Sequence, residues 1–190
     1  MIDAIENIIG RNSSNKLTFP HPTQEEMQIV YRAALRAPDH AWLRPSRFIE
    51  IKGSGLNRLS KIFELHTKEN IKDVDEFTLK KYINAPYRAP MVIVAMTLVQ
   101  EHPKVSEIEQ MLSTAAAIQN ILLSLNALKY SSIWRTGPLA LNNEIVKSFK
   151  LNQNYRILGY IYVGTQEGEP KRIPDIDSNE FVTRWDREND

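Results

Sequence analysis

Six consecutive apolar residues, Met91-Val92-Ile93-Val94-Ala95-Met96, constrain this chain more than any other segment. As a strand they offer no polar face, so both sides must be covered and the strand must lie inside a sheet. Candidate covering helices flank it. Ser106 to Lys129 runs 24 positions without a breaker, which is about 36 Å of helix at 1.5 Å per residue. Its middle, Leu112 to Leu125, is apolar nearly all round, which predicts a buried helix, with a second subunit as one candidate cover. Thr23-Gln24-Glu25-Glu26 has the pattern of a capping box, and the helix behind it places Met27, Val30, Ala34 and Ala37 on one face before Pro38 stops it.

The remaining elements follow from period and punctuation. Asp3 and Glu6 have capping-box spacing for a short helix through Ile9 that Gly10 can close, and a polar loop Arg11 to Lys16 follows. Phe48 to Lys52 alternates as a strand, and Gly53-Ser54-Gly55 turns into a helix carrying Leu56, Leu59, Ile62 and Phe63. A further helical piece ends near Asn84, ahead of Pro86. Ser131 to Arg135 reads as a short strand, Asn142 as the cap of a small helix with Ile145, Val146 and Phe149, and Ile157 to Val163 as the last strong strand. The segment Phe181 to Trp185 has strand propensity, and docking onto a partner's sheet edge would use it.

Several chemistries drop out early. The chain has 190 residues, the length of one ordinary domain, and no cysteine, so thiolate nucleophiles, disulfides and Cys-ligated metals are excluded. His21, His40, His66 and His102 are dispersed without metal-ligand spacing, so no metal site is expected. Net charge is +1, which gives no global basic field for nucleic acid. It divides unevenly, −4 from Gln166 onward and +5 before it, a mild excess compatible with a phosphate-bearing small ligand. Met1 to Glu6 lacks signal-peptide character and no apolar run approaches a membrane span, so a cytoplasmic protein without a membrane partner is expected. There is no phosphate loop, no His-Glu-x-x-His and no Gly-x-Ser-x-Gly. Gly53-Ser54-Gly55 begins like a dinucleotide fingerprint, but Arg58 stands where its third glycine would allow close helix–strand packing.

Four segments carry the positive reading: Arg11-Asn12-Ser13 after the first helix, Arg36-Ala37-Pro38-Asp39-His40-Ala41-Trp42-Leu43-Arg44-Pro45 after the second, Asn84 to Pro90 before the central strand, and Ile133-Trp134-Arg135-Thr136-Gly137 after the long helix. Their order and spacing over nearly the whole chain resemble the FMN-dependent nitroreductase family, in its short single-domain NAD(P)H-dependent subgroup. The resemblance implies an α+β fold: a three-layer α/β/α sandwich whose mostly antiparallel central sheet has helices on both faces. It further implies one FMN-binding domain over residues 1–190, with 166–190 as a C-terminal arm exchanged with the partner of a homodimer. The flavin sites would be shared between the two subunits.

The same resemblance assigns cofactor contacts to Arg11, Asn12, Ser13, Arg36, His40, Arg44, Trp134, Arg135, Thr136 and Arg172. Arg11 and Ser13 can give the FMN phosphate a charge-assisted pair and a hydroxyl donor. Asn12 departs from the basic residue usual there, and Asn15 replaces another, with Lys16 beside it. Arg36 and His40 flank the proline turn that reaches the flavin of the other subunit. Arg44-Pro45-Ser46 keeps a donor for a flavin edge but lacks a large aromatic at Ser46. Trp42 reads either as substrate wall or as dimer core, and the Trp134 side chain either as part of the site or as ordinary core. Backbone N–H groups of Trp134 to Thr136 would meet flavin N5, where a donor stabilises charge on the reduced ring. Arg172 resembles a late arginine that returns to the phosphate, with a plain surface cation as the alternative.

The implied activity is ping-pong transfer of a hydride from NADPH or NADH through flavin N5 to a small electron-poor acceptor such as a nitroaromatic or quinone. No protein side chain is then needed as nucleophile, and no catalytic residue is named. The rival reading is a flavin- or small-ligand-binding protein on the same fold without turnover.

Overall fold

The computed structural model describes residues 3–185. Five strands form the sheet: β1 (Leu17–Thr18), β2 (Ser46–Lys52), β3 (Met91–Leu98), β4 (Ser131–Arg135) and β5 (Tyr155–Gln166). The order is β1-β5-β3-β2, with β4 also pairing to β5, and every pairing of named strands is antiparallel. The apolar run is the buried heart of β3, as its two-sided hydrophobicity demands. Met91, Ile93 and Ala95 point into one core with helices α2 (Gln24–Ala34) and α5 (Glu107–Ala127). Val92, Val94 and Met96 point into the other, beneath α3 (Ser54–Asn70) and the short helices α6 (Pro138–Leu141) and α7 (Ile145–Ser148). The expected three-layer arrangement is therefore present. The remaining helices are α1 (Ala4–Gly10) and α4 (Glu76–Ile83).

β5 carries one extra residue. Ala95 faces Gly159 and Met96 faces Ile157, so Leu158 bulges and β5 changes the face of its side chains there. Gly159, at φ +151, has no room for a side chain: a Cβ on it would lie 2.2 Å from Trp134 Nε1 and 2.6 Å from the Arg135 carbonyl oxygen of β4. Only a residue without a side chain lets β4 lie against the bulge at this point.

Local readings shift in instructive ways. The Thr23–Glu26 capping box forms, but α2 ends at Ala34, and Ala37 packs against the core from the following loop. Asp3 caps α1 through its own carboxylate without the reciprocal Glu6 bond, and the helix runs through Gly10 to a cap at Arg11. Asn142 accepts from the Glu144 N–H and so shapes the turn before α7, whose N-cap is Glu144; α6 and β1 are additional short elements. A second capping box, Ser106–Glu109, starts α5. That helix is not buried all round: Leu112 is 60% exposed and Ile108 66% within the single chain. Phe181 to Trp185 forms no strand but lies exposed behind a short 3-10 turn (Ser178–Glu180), because a lone strand without a paired edge has no bonds to gain. Residues 1–2 and 186–190, the ends of the expected domain and arm, lie outside the described residues. Among the described residues no helix is long and apolar enough to cross a membrane.

Candidate functional site

The residues singled out in the sequence gather into two clusters at opposite ends of α5. The first is built on the loop after α1. Asn7 fixes α1 to the C-terminal end of α5: its amide donates to the Leu123 carbonyl at 3.0 Å, and Asn126 donates to its oxygen at 2.8 Å. The next residues run beside β4, with Ser13 bridging Ser132 and the Ser14 N–H donating to the Ser132 carbonyl at 3.2 Å. Arg11 Nη1 donates to Ser13 Oγ at 3.3 Å, so the guanidinium and the hydroxyl stand together. Asn12 has an internal task. Its oxygen accepts from the Ser13 N–H at 2.8 Å and its nitrogen donates to the Lys171 carbonyl at 2.7 Å, which ties the chain after β5 to this loop. Arg172 is thereby brought beside the cluster and is exposed.

Arg135 joins the same cluster from the end of β4. Its Nη2 donates to Asn15 Oδ1 at 3.0 Å, and its guanidinium lies 5.9 Å from the centre of the Tyr162 ring. Its Nε is buried without a partner. Burial pushes the Tyr162 phenol up, while the nearby Arg88 and Arg135 guanidinium groups oppose that shift. Among the described residues Arg11, Arg88, Arg135 and Arg172 have no ion pair; the bridges are Lys52–Glu50, Lys68–Glu64, Lys80–Glu76, Lys147–Glu144 and Arg156–Glu107. Several unpaired guanidinium groups with one orphaned donor suit an anionic ligand rich in acceptors. Trp134 is settled differently: its indole N–H donates to the Leu158 carbonyl at 3.0 Å and its ring packs in the core, while the exposed Thr136 follows β4.

The second cluster is the loop between α2 and β2, folded over the N-terminal half of α5. It surrounds a cavity of about 510 Å³ lined by Arg36, Asp39, Trp42, Arg44, Ser46 and Ser113, among others. Ala41, Trp42 and Arg44 have φ of 53, 57 and 50°, left-handed conformations that side chains disfavour. Fixed bonds hold them. Asp39 Oδ2 accepts from the Arg44 N–H at 2.7 Å, and Gln100 Nε2 donates to the Leu43 carbonyl at 2.7 Å. Asp39 Oδ1 is buried and unpartnered. Ser113 Oγ donates to the Glu109 carbonyl at 3.0 Å and meets His40 Nδ1 at 2.9 Å. Ser46 replaces aromatic packing with a hydroxyl bond to Thr114 Oγ1 at 3.3 Å.

This polar support on α5 was missed in the sequence. Gln110, Ser113 and Thr114 are buried, and their i, i+3, i+4 spacing in an otherwise apolar helix is a stripe that periodicity could have found. Among the described residues no hydrogen bond joins the two clusters. Ser113 and Asn126 lie about 20 Å apart along α5 at 1.5 Å per residue, so the halves lie well apart within one chain.

The sequence profile of the nitroreductase family matches residues 8–165. The chain is 32% identical over 183 residues to an Escherichia coli K12 protein named putative NAD(P)H nitroreductase YdjA, covering 96% of this chain and 99% of that one. It is 31% identical over 186 residues to a Haemophilus influenzae protein named putative NAD(P)H nitroreductase, with coverage of 96% and 99%. Among solved structures, a nitroreductase-like protein from Bacillus cereus superposes with a TM-score of 0.84 at 18% identity, covering 98% of each chain. The FMN-dependent nitroreductase NfnB from Mycobacterium smegmatis, solved with NADPH, superposes with a TM-score of 0.75 at 18% identity, covering 97% and 98%.

Proposed function

The chain belongs to the nitroreductase family, and from that premise we propose that it is an FMN-carrying, NAD(P)H-dependent oxidoreductase with a small electron-poor acceptor, a nitroaromatic or a quinone. Bound FMN would supply the redox chemistry between the nicotinamide donor and the acceptor, with ping-pong order expected. Everything else falls to the protein's own groups. Arg11 and Ser13 bind the phosphate, with Arg172 returning to it; Asn12 shapes the loop through its bonds to Ser13 and Lys171 rather than touching the phosphate with its side chain. The backbone of Trp134 to Thr136 orients the ring, held in place by the Trp134 indole bond to Leu158.

Arg36, His40 and Arg44 act on the flavin of a second copy. Support for that comes from the roughly 20 Å between the clusters along α5, and from the apolar side chains exposed on the single chain: Ile5 and Ile9 of α1, Ile108 and Leu112 of α5, Trp42 and Trp185. Gln166 ends β5 and Lys171 is tied to Asn12 of the same chain, so the arm that crosses to the partner in the same assembly begins after Arg172 rather than at 166. Trp42, at 80% exposure in one chain, then becomes interface or substrate wall.

The observation that carries the reading is the meeting of the Arg11–Ser13 loop, Asn15, Arg135 and Lys171 at one end of the sheet, with guanidinium groups that no carboxylate among the described residues neutralises. The visible spectrum of the FMN-loaded protein, followed under anaerobic addition of NADPH and then NADH, tests it. Flavin bands that bleach are expected. Bands that persist with both donors turn the protein into a flavin binder without turnover, and a protein that takes up no FMN refutes the flavoprotein reading.

A further inference from the structure

Arg135 is held in an unusual way. Guanidinium groups at a protein surface commonly meet carboxylates, which orient them and cancel their charge together. Here the partner is the neutral amide of Asn15, whose Oδ1 accepts from Nη2 at 3.0 Å. The Nε of the same group is buried and has no partner among the described residues. The planar group lies 5.9 Å from the Tyr162 ring centre, which limits its freedom on that side. Arg88 adds a second positive charge near the same phenol. An amide fixes direction and leaves the charge in full, whereas an aspartate of the same shape would fix direction and remove the charge.

We propose that Asn15 is a positioning residue that aims the unneutralised Arg135 guanidinium at the carbonyl-bearing edge of bound FMN, and so makes the reduced flavin bind more tightly relative to the oxidised one. The inference rests on the flavin reading above. The reduced ring carries more electron density at that edge than the oxidised ring, so a fixed positive charge there favours it. Loss of the alignment shifts that preference without any need for Asn15 to touch the cofactor.

The test is the midpoint potential of bound FMN, with FMN affinity and thermal stability measured on the same samples. Asn15→Ala is expected to lower the relative affinity for reduced over oxidised FMN about tenfold, a shift of about 30 mV to more negative potential for a two-electron couple. In an Arg135→Gln background the same substitution is expected to shift nothing further, because its effect runs through the guanidinium. Asn15→Asp keeps the hydrogen bond, so thermal stability is expected to hold or rise while the potential falls. A purely structural tie predicts that stability and potential move together. An unmoved potential in Asn15→Ala, an equal shift with and without Arg135, or an unmoved potential in Asn15→Asp overturns the proposal. Failure of the wild-type protein to take up FMN overturns the functional reading beneath it, an outcome distinct from these.

Discussion

A methyl group on Gly159 tests the coupling between the bulge in β5 and the candidate site. The Cβ of Gly159→Ala would lie 2.2 Å from Trp134 Nε1, 2.6 Å from Trp134 Cδ1 and 2.6 Å from the Arg135 carbonyl oxygen. The indole could swing away only by giving up its 3.0 Å bond to the Leu158 carbonyl, and the Arg135 oxygen is main chain of the paired strand, so β4 itself must move. Overpacking of this kind costs about 1–3 kcal/mol, and the lost indole hydrogen bond about 1 kcal/mol. The positive φ of 151° adds backbone strain of about 1 kcal/mol. A total of about 3–5 kcal/mol corresponds to a fall in melting temperature of about 10 °C for a chain of this size. Because β4 carries Arg135, FMN affinity falls with stability. Calorimetry and FMN titration of wild type and variant measure both. Gly168→Ala is the control: its φ is +78° with nothing within 4 Å of the added Cβ, so it reports backbone strain alone. A Gly159→Ala protein that melts no lower than Gly168→Ala and binds FMN as wild type would refute the packing argument.

Arg11→Ala is expected to weaken FMN binding by about 1.5–3 kcal/mol, the worth of a charged hydrogen bond, with unchanged affinity counting against the phosphate role. Ending the chain after Glu180 removes Phe181 and Trp185, exposed by 73% and 87% in the single chain; sedimentation is expected to show a weaker homodimer, and an unchanged association constant excludes the arm. His66 is buried, and its desolvation lowers the imidazole pKa from 6.5 against the opposing charges of Glu69 and Glu144. The unfolded chain therefore takes up the proton first as pH falls. Stability is complete above about pH 6.5 and declines as pH drops toward the lowered value. Urea midpoints at about pH 7.5 and 5.5 are expected to separate for wild type and to converge in His66→Asn; equal separations in both proteins would assign the pH dependence elsewhere.

The layering was legible because β3 is apolar on both faces and the α2 and α3 segments have one-sided patterns, so burial alone fixes what lies where. The short elements escaped for the reason that pattern needs length: α6 has four residues and β1 two. The tail is legible only in part. Phe181 to Trp185 has the side chains of a strand, but a strand is made by its partner, and it pairs with none among the described residues. At the site, the residues of the Arg11 and Trp134 segments were found by their order and type, and the structure brings Arg11, Asn12, Ser13 and Arg135 together. What order and type could not reveal was use. Asn12 commits its amide to the loop and Trp134 commits its indole to Leu158.

The two clusters share a physical incompleteness that bears on how the site is finished. One holds a buried donor without an acceptor, Arg135 Nε; the other holds a buried acceptor without a donor, Asp39 Oδ1. Each such group costs about 1–3 kcal/mol while it stays unpaired. The loop that carries Asp39 also keeps Ala41, Trp42 and Arg44 in left-handed backbone, each residue costing on the order of 1–3 kcal/mol. Bonds from Gln100 to Leu43, from Arg44 to Asp39 and between His40 and Ser113 keep this loop from relaxing. These bonds hold the strained loop in one shape before any ligand arrives, so less ordering is left to the binding step. Under the reading of a flavin shared between two copies, FMN supplies acceptors to the guanidinium groups of one copy and faces the strained loop of the other. Cofactor uptake and pairing of the chains then stabilise the same surfaces, and each favours the other by linkage.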